Sequence, residues 1–232
     1  MKKSTLVTAL VMLVLIPGTL WLGSRLPGRW YYMTSTVMVF ETMAPFFVLF
    51  ERRRPQAREL VTIAVLCALA AVSRVAFAFF PGFKPVTGIA MIAGIAFGPQ
   101  AGFLTGAISA LASNFFYSQG PWTPWQMMAY GMAGFLGGIL FSRRAVSPHP
   151  AVMAAAGFFT ILLATGPLLD CCTVFTTLTE LNWEGVGLVL VRGIPANLTH
   201  SVSCAVTMLV LGRPMLEKLD RLKRKYGMME LR

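Results

Sequence analysis

The chain has 232 residues, of which 56% are hydrophobic and 12% charged, and its mean hydropathy is +0.68. Soluble domains carry about 25% charged residues, so this composition leaves too little polar surface to clothe a globular fold. The 20 Lys and Arg outnumber the 9 Asp and Glu, a formal charge of +11. They lie in short clusters between long apolar runs, as in a membrane protein with one cationic face, which excludes a soluble nucleic-acid binder, a secreted disulfide scaffold and a disordered chain.

A spanning helix needs about 20 apolar residues. The first candidate covers roughly 4–22, follows Lys2-Lys3 and is interrupted at Pro17-Gly18. No A-x-A-like cleavage site follows it and a second apolar run begins soon after, so it is expected to be a retained helix. The second covers roughly 33–50 and ends at the basic cluster from Arg52 to Arg58, which predicts a cytoplasmic loop. Arg25 and Arg29, in the preceding outer loop, oppose that assignment more weakly. The third covers 60–80 and ends at Pro81-Gly82.

The run 86–116 is too long for one span and too short for two. Proline cannot continue the hydrogen-bond ladder, so two shorter helices are expected to meet at Gly98-Pro99-Gln100, packed inside protein rather than against lipid. Spans at roughly 124–142, 151–176 and 186–211 follow. Arg143-Arg144 and the tail with Lys218, Arg221, Lys223, Arg224 and Lys225 suit the cytoplasm, while Glu180 and Glu184 lie on an outer loop. Eight segments result, with both termini inside. The tail at 214–225 is amphipathic and suits either the inner membrane surface or a solvated position. Cys67, Cys171, Cys172 and Cys204 lie in or beside apolar runs without zinc-ligand spacing and read as small buried residues. No metal or cofactor is expected.

Ionisable residues within spans are costly and are functional candidates by default. They are Glu41, Arg74, Asp170, Arg192 and His200. By helical rise, Arg74, Asp170 and Arg192 each fall about 10 Å below the outer membrane end, so three charges from three helices are expected to converge on one layer. Asn114, Gln126 and Asn197 join them, with Tyr117, Trp122, Trp125 and Tyr130 at the rim. Residues 192, 196 and 200 form an i, i+4 stripe that places Arg192 and His200 on one face. This constellation fits an outward-open pocket with an aromatic wall and a few polar anchors. A structural ion pair between Asp170 and one of the arginines fits it too, as do tryptophans of an ordinary interfacial belt. No G-x4-G-K-[ST], H-E-x-x-H or G-x-S-x-G motif is present. The third span carries Ala64, Ala68 and Ala71, a small-residue face suited either to internal packing or to a partner helix.

The core from about 57 to 212 resembles the substrate-binding S components of energy-coupling factor (ECF) vitamin transporters. The resemblance rests on Phe83 to Thr87 with Ile92 to Gly102, on Ala64-Val65-Leu66-Cys67-Ala68 as an A-x-x-x-A motif, and on the stretch from Ser113 to Met127. It implies an all-α integral membrane protein of the bacterial cell membrane. Residues 1–56 would form an extra N-terminal hairpin, 57–212 a six-helix substrate-binding core, and 213–232 a basic cytoplasmic tail. It implies a binding subunit rather than an enzyme, which captures a vitamin-type small molecule from outside. Such a subunit docks through Ala64, Ala68 and Ala71 on a transmembrane coupling subunit that carries two cytoplasmic ATPases. Members with this type of core are linked to cobalamin, the expected substrate here, although a cluster of Arg74, Asp170 and Arg192 also suits pantothenate, a queuosine precursor or another zwitterion or anion. The competing readings are a stand-alone proton-coupled carrier using Asp170 or Glu41, and a membrane enzyme using Asp170 and His200. The second is opposed by a depth difference of about two helical turns.

Overall fold

The computed structural model describes residues 11–25, 30–141, 149–178 and 181–228. Lys2-Lys3, Arg29, Arg143-Arg144 and Glu180 lie outside the described residues. Within them the chain is helical, with no strand. Four stretches are long and apolar enough to cross a membrane: Met33–Arg52, Ala57–Ala76, Pro150–Thr177 and Trp183–Tyr226. The fold is therefore that of an all-α, multi-pass membrane protein.

An N-terminal hairpin comes first. A π-helical turn, Val11–Leu15, leads into α1 (Ile16–Arg25), which pairs with α2 (Trp30–Arg52). The expected interruption at Pro17-Gly18 is instead a change of winding. Pro17 follows the π turn directly, in the first α-helical turn after it. The same device recurs twice. The π turn Ile161–Thr165 joins α7 (Pro150–Thr160) to α8 (Gly166–Thr177), with Pro167 just after it. The π turn Met208–Gly212 joins α9 (Trp183–Thr207) to α10 (Arg213–Tyr226), with Pro214 just after it. In each case one widened turn absorbs the clash between the proline ring and the preceding turn, and the helix runs on.

Helix α3 (Ala57–Ala76) stops well before Pro81. Residues 77–82 form turns in which the Phe77 ring touches those of Phe80 and Phe83. Arg74 consequently sits in the last turn of its helix, closer to the end than the sequence spacing suggests.

Helices α4 (Val86–Phe97) and α5 (Pro99–Tyr117) meet where the sequence places their turn. Gly98 adopts φ 93°, a left-handed conformation that suits glycine, and Pro99 opens the next helix. At 12 residues, α4 is about 18 Å long, well short of a hydrocarbon core of about 30 Å. Every residue of it except Ile95 is buried. It is enclosed by α5 and α6 (Trp122–Phe141) at backbone contact: a Cβ at Gly94 would lie 2.1 Å, and one at Gly102 2.3 Å, from the Gly134 carbonyl oxygen. Small residues permit this approach where no hydrophobic force drives helices together.

The carboxyl end of α4 is capped by two cations. Arg53 Nη1 donates to the Phe97 carbonyl and Lys223 Nζ to the Ala96 carbonyl, each at 2.7 Å. These carbonyls have no intrahelical donor, and positive charge is favoured at this end of a helix. Arg53 also pairs with the buried Glu59 at 2.6 Å. The C-terminal segment packs one face on the bundle and leaves its charged face exposed. It continues α9 and docks on the core through buried Leu216, Leu219 and Met228.

Candidate functional site

At the opposite end of the bundle, α3, α5 and α6 converge on Arg74, which is 6% exposed. Its Nη1 donates to Ser113 Oγ (2.6 Å) and Asn114 Oδ1 (2.8 Å), and its Nη2 to Gln126 Oε1 (3.2 Å). Asn114 Nδ2 in turn donates to Gln126 Oε1 (2.9 Å) and Thr123 Oγ1 (3.0 Å). The guanidinium lies over two aromatic rings, 4.9 Å from the Tyr117 centroid and 5.5 Å from that of Tyr130. Among the described residues no carboxylate pairs with it. A buried cation is therefore held by neutral dipoles and π faces.

The layer continues across the bundle. The fully buried Tyr130 meets His200 edge to face at 5.8 Å, and His200 Nε2 lies 3.2 Å from Thr87 Oγ1 on α4. Trp125 stacks on Phe175 of α8 at 5.6 Å. Trp125 Nε1 and the Tyr130 hydroxyl are buried without a hydrogen-bond partner. Such groups are costly to leave unpaired.

A second polar pair joins α8 to α9. Asn197 Nδ2 donates to Asp170 Oδ2 at 2.7 Å, and both residues are buried. Two glycines make room for it: a Cβ at Gly193 would lie 2.3 Å from Asp170 Oδ1, and one at Gly166 2.6 Å from Asn197 Cγ.

The expected convergence of three charges is not what the structure contains. Arg192 is exposed, as are Val191 and Ala196. Helix α9 turns Gly193, Asn197, His200 and Cys204 toward the bundle, and Arg192, one residue from that line, is rotated by about 100° from it. Arg192 and His200 therefore do not share a face. Asp170 is met by a neutral amide rather than an arginine. Trp122 is at the exposed rim, against Gly120, and Phe115 and Phe116 point outward.

Ser113, Thr123, Tyr130 and Thr87 take part without having been assigned to the site from sequence. Tyr130 stood out only as a rim aromatic. The hydroxyl residues carry a weak signal, because Ser and Thr within helices commonly bond their own backbone. Among the described residues no group of three His, Cys, Asp or Glu side chains is placed to hold a metal ion.

Elsewhere, Glu41 of α2 accepts from Thr19 Oγ1 of α1 at 2.5 Å, within the hairpin and apart from this layer. On α3, Ala64 and Ala68 are exposed beside Val61 and Val65, whereas Ala71 is buried, so the three alanines do not form one outward stripe. From Cys67 onward α3 leans on α5: Ser109 Oγ donates to the Cys67 carbonyl at 3.2 Å and Arg74 reaches Ser113, which draws the Ala71 turn into the core.

Comparison with known proteins agrees with this architecture. The family model described as ECF-type riboflavin transporter, S component, matches residues 55–217, most of the chain. No curated protein and no solved structure matches it. The matched family consists of transporter subunits rather than enzymes. The chain belongs to the family of ECF-type riboflavin transporter S components.

Proposed function

We propose that this chain captures a flavin-type vitamin, riboflavin or a close relative, in the layer around Arg74. It then delivers the vitamin inward after docking on a transmembrane coupling subunit with two cytoplasmic ATPases. The observation that carries the reading is the Arg74 cluster itself. A guanidinium with no carboxylate partner among the described residues stands beside the faces of Tyr117 and Tyr130, and two buried donors on the same helix as Gln126, Trp125 Nε1 and the Tyr130 hydroxyl, lack partners. A planar heteroaromatic edged with carbonyls and ring nitrogens presents the acceptors and the stacking face that such donors and rings complement.

Asn114 and Gln126 orient the guanidinium, Trp122 borders the rim, and Asp170 with Asn197 supplies acceptors and donors for a polar side chain of the ligand. Arg192, exposed on the outer face of α9, has no part in this reading. The cobalamin expectation has less support, since the matched family is described by riboflavin. The basic end of the bundle faces the cytoplasm, with both termini there. Residues 57–212 form the substrate-binding unit, and Ala64 and Ala68 lie on the face that meets the coupling subunit. A stand-alone proton-coupled carrier is the weaker reading, because Asp170 is tied to an amide and Glu41 lies in the separate hairpin.

The test is titration of riboflavin into the purified, detergent-solubilised chain, followed by quenching of flavin fluorescence, with cobalamin titrated in parallel by absorbance. Saturable quenching that is lost in Arg74→Ala is expected. Cobalamin binding without riboflavin binding would overturn the substrate assignment.

A further inference from the structure

The basic end holds a second feature, unconnected with the Arg74 layer. Between the start of α3 and the end of α10 lies a cavity of about 320 Å³, walled by Ala57, Val61, Leu222 and Met228. Its shape follows from the turn that ends α10. Gly227 adopts φ 58° and folds the chain back, so that the Met228 N–H donates to the Lys223 carbonyl and the Met228 side chain is buried against Thr62. Arg58 and Tyr226 stand at the mouth.

Among the described residues, the charges there are out of balance. The Arg58 guanidinium lies 5.5 Å from the Tyr226 ring centroid and donates through Nη1 to the Tyr226 carbonyl at 3.1 Å. Lys225 Nζ lies 5.3 Å from the same ring. Two exposed cations thus neighbour one tyrosine: Arg58 belongs to the cavity's lining and Lys225 stands beside the Tyr226 ring. Among the described residues no carboxylate pairs with either, because Glu59 is committed to Arg53, Asp220 to Lys223 and Glu217 to Arg213. The two helices that form the groove belong to stretches long and apolar enough to span a bilayer, and the mouth lies at their basic end.

An apolar slot with Arg58 in its lining and a second cation, Lys225, beside Tyr226, set where a spanning helix leaves the membrane, is complementary to an amphiphilic anion. We propose that this groove binds an anionic phospholipid, with an acyl segment against Val61, Leu222 and Met228, the phosphate at Arg58, and Lys225 beside Tyr226 adding to the positive field on the headgroup. Basic pockets between helices at the membrane surface take lipid headgroups in this way. The volume matches a length of acyl chain rather than a whole lipid, which leaves the headgroup at the surface with the cations. A free anion would satisfy Arg58 but leave the apolar wall uncovered, and a zwitterionic lipid would bring its own cation beside the two already there.

The full-length protein in detergent is titrated with phosphatidylglycerol, phosphatidylcholine or inorganic phosphate. Thermal midpoint and bound lipid by native mass spectrometry are the readouts. Phosphatidylglycerol is expected to bind and raise the midpoint, while the other two do not. Arg58→Gln with Lys225→Gln, both on exposed positions, is expected to weaken phosphatidylglycerol by about 30-fold, from the loss of two basic groups near an anionic headgroup. Val61→Trp, which fills the slot and leaves both charges, is expected to abolish lipid retention. Equal binding of phosphatidylcholine, an equal response to phosphate alone, or parental lipid affinity in the double variant would each overturn the proposal. So would a Val61→Trp protein that keeps its lipid but no longer retains the coupling subunit, which would assign the slot to a protein.

Discussion

Tyr117 holds Arg74 at two points: its ring lies 4.9 Å beneath the guanidinium, and its hydroxyl donates to the Arg74 main-chain carbonyl at 2.8 Å. That carbonyl belongs to the last turn of α3 and has no intrahelical donor. One side chain therefore terminates the helix and positions the cation that the helix end presents.

Separate substitutions should resolve the two roles. Tyr117→Phe keeps the ring and loses the hydroxyl, and is expected to cost roughly 0.5–1.5 kcal/mol of stability with little change in vitamin affinity. Tyr117→Leu removes both, and is expected to weaken affinity as well. Chemical denaturation and flavin-quenching titrations of the two variants make the comparison.

Arg74→Lys should fail to replace arginine. One ammonium cannot reproduce the fork that reaches Ser113, Asn114 and Gln126 together. Vitamin affinity is expected to fall at least tenfold in Arg74→Lys and further in Arg74→Ala. A lysine variant that binds like the parent would remove the geometric role assigned to the guanidinium.

Gly193→Ala should part Asp170 from Asn197, since the added methyl would meet the carboxylate at 2.3 Å. The expected destabilisation is about 1–3 kcal/mol, the usual effect of overpacking, read as a lower thermal midpoint. Gly187→Ala is the control on the same helix, because a Cβ there meets nothing within 4 Å.

Arg53→Met should strand the buried Glu59 and release the Phe97 carbonyl. Breaking a buried pair from one side costs roughly 3–5 kcal/mol. Adding Glu59→Gln to Arg53→Met is expected to restore a substantial part of that loss, which a double-mutant cycle would quantify.

Ala68→Trp and Ala71→Trp should part company. Ala68 is exposed, so its variant is expected to fold and bind vitamin but to lose retention by the coupling subunit. Ala71 is buried, so its variant is expected to lose thermal stability first. Pull-down and melting curves for the pair separate docking from packing.

Much of this architecture is legible from residue order alone, for identifiable reasons. The Gly98-Pro99 turn is written in the two residue types that such a turn demands, and the enclosed position of α4 follows from its length. Arg74, Asn114 and Gln126 were recognisable as a group because polar side chains in apolar helices stand out, and helical rise placed them at one level. Arg192 shows where that reasoning stops. Depth along a helix can be counted from the sequence, but rotation about the axis depends on which neighbour packs against which face. Here two small residues, Gly193 and Gly166, decide it by admitting Asp170 and Asn197. The end of α3 is not legible, because Pro81 is the first helix breaker in the sequence, whereas the chain leaves the helix earlier, where the Phe77 ring meets those of Phe80 and Phe83.

The double cap on α4 bears on how this protein can be trimmed. The family match runs over residues 55–217, and both capping side chains, Arg53 and Lys223, fall just outside it. A version cut to the matched region would look complete by alignment, yet it would strip both donors from the most enclosed helix of the bundle. Arg53 and Lys223, 170 positions apart, thus act as one clasp on the interior, and the segment after the hairpin and the basic tail become parts of the same fastening.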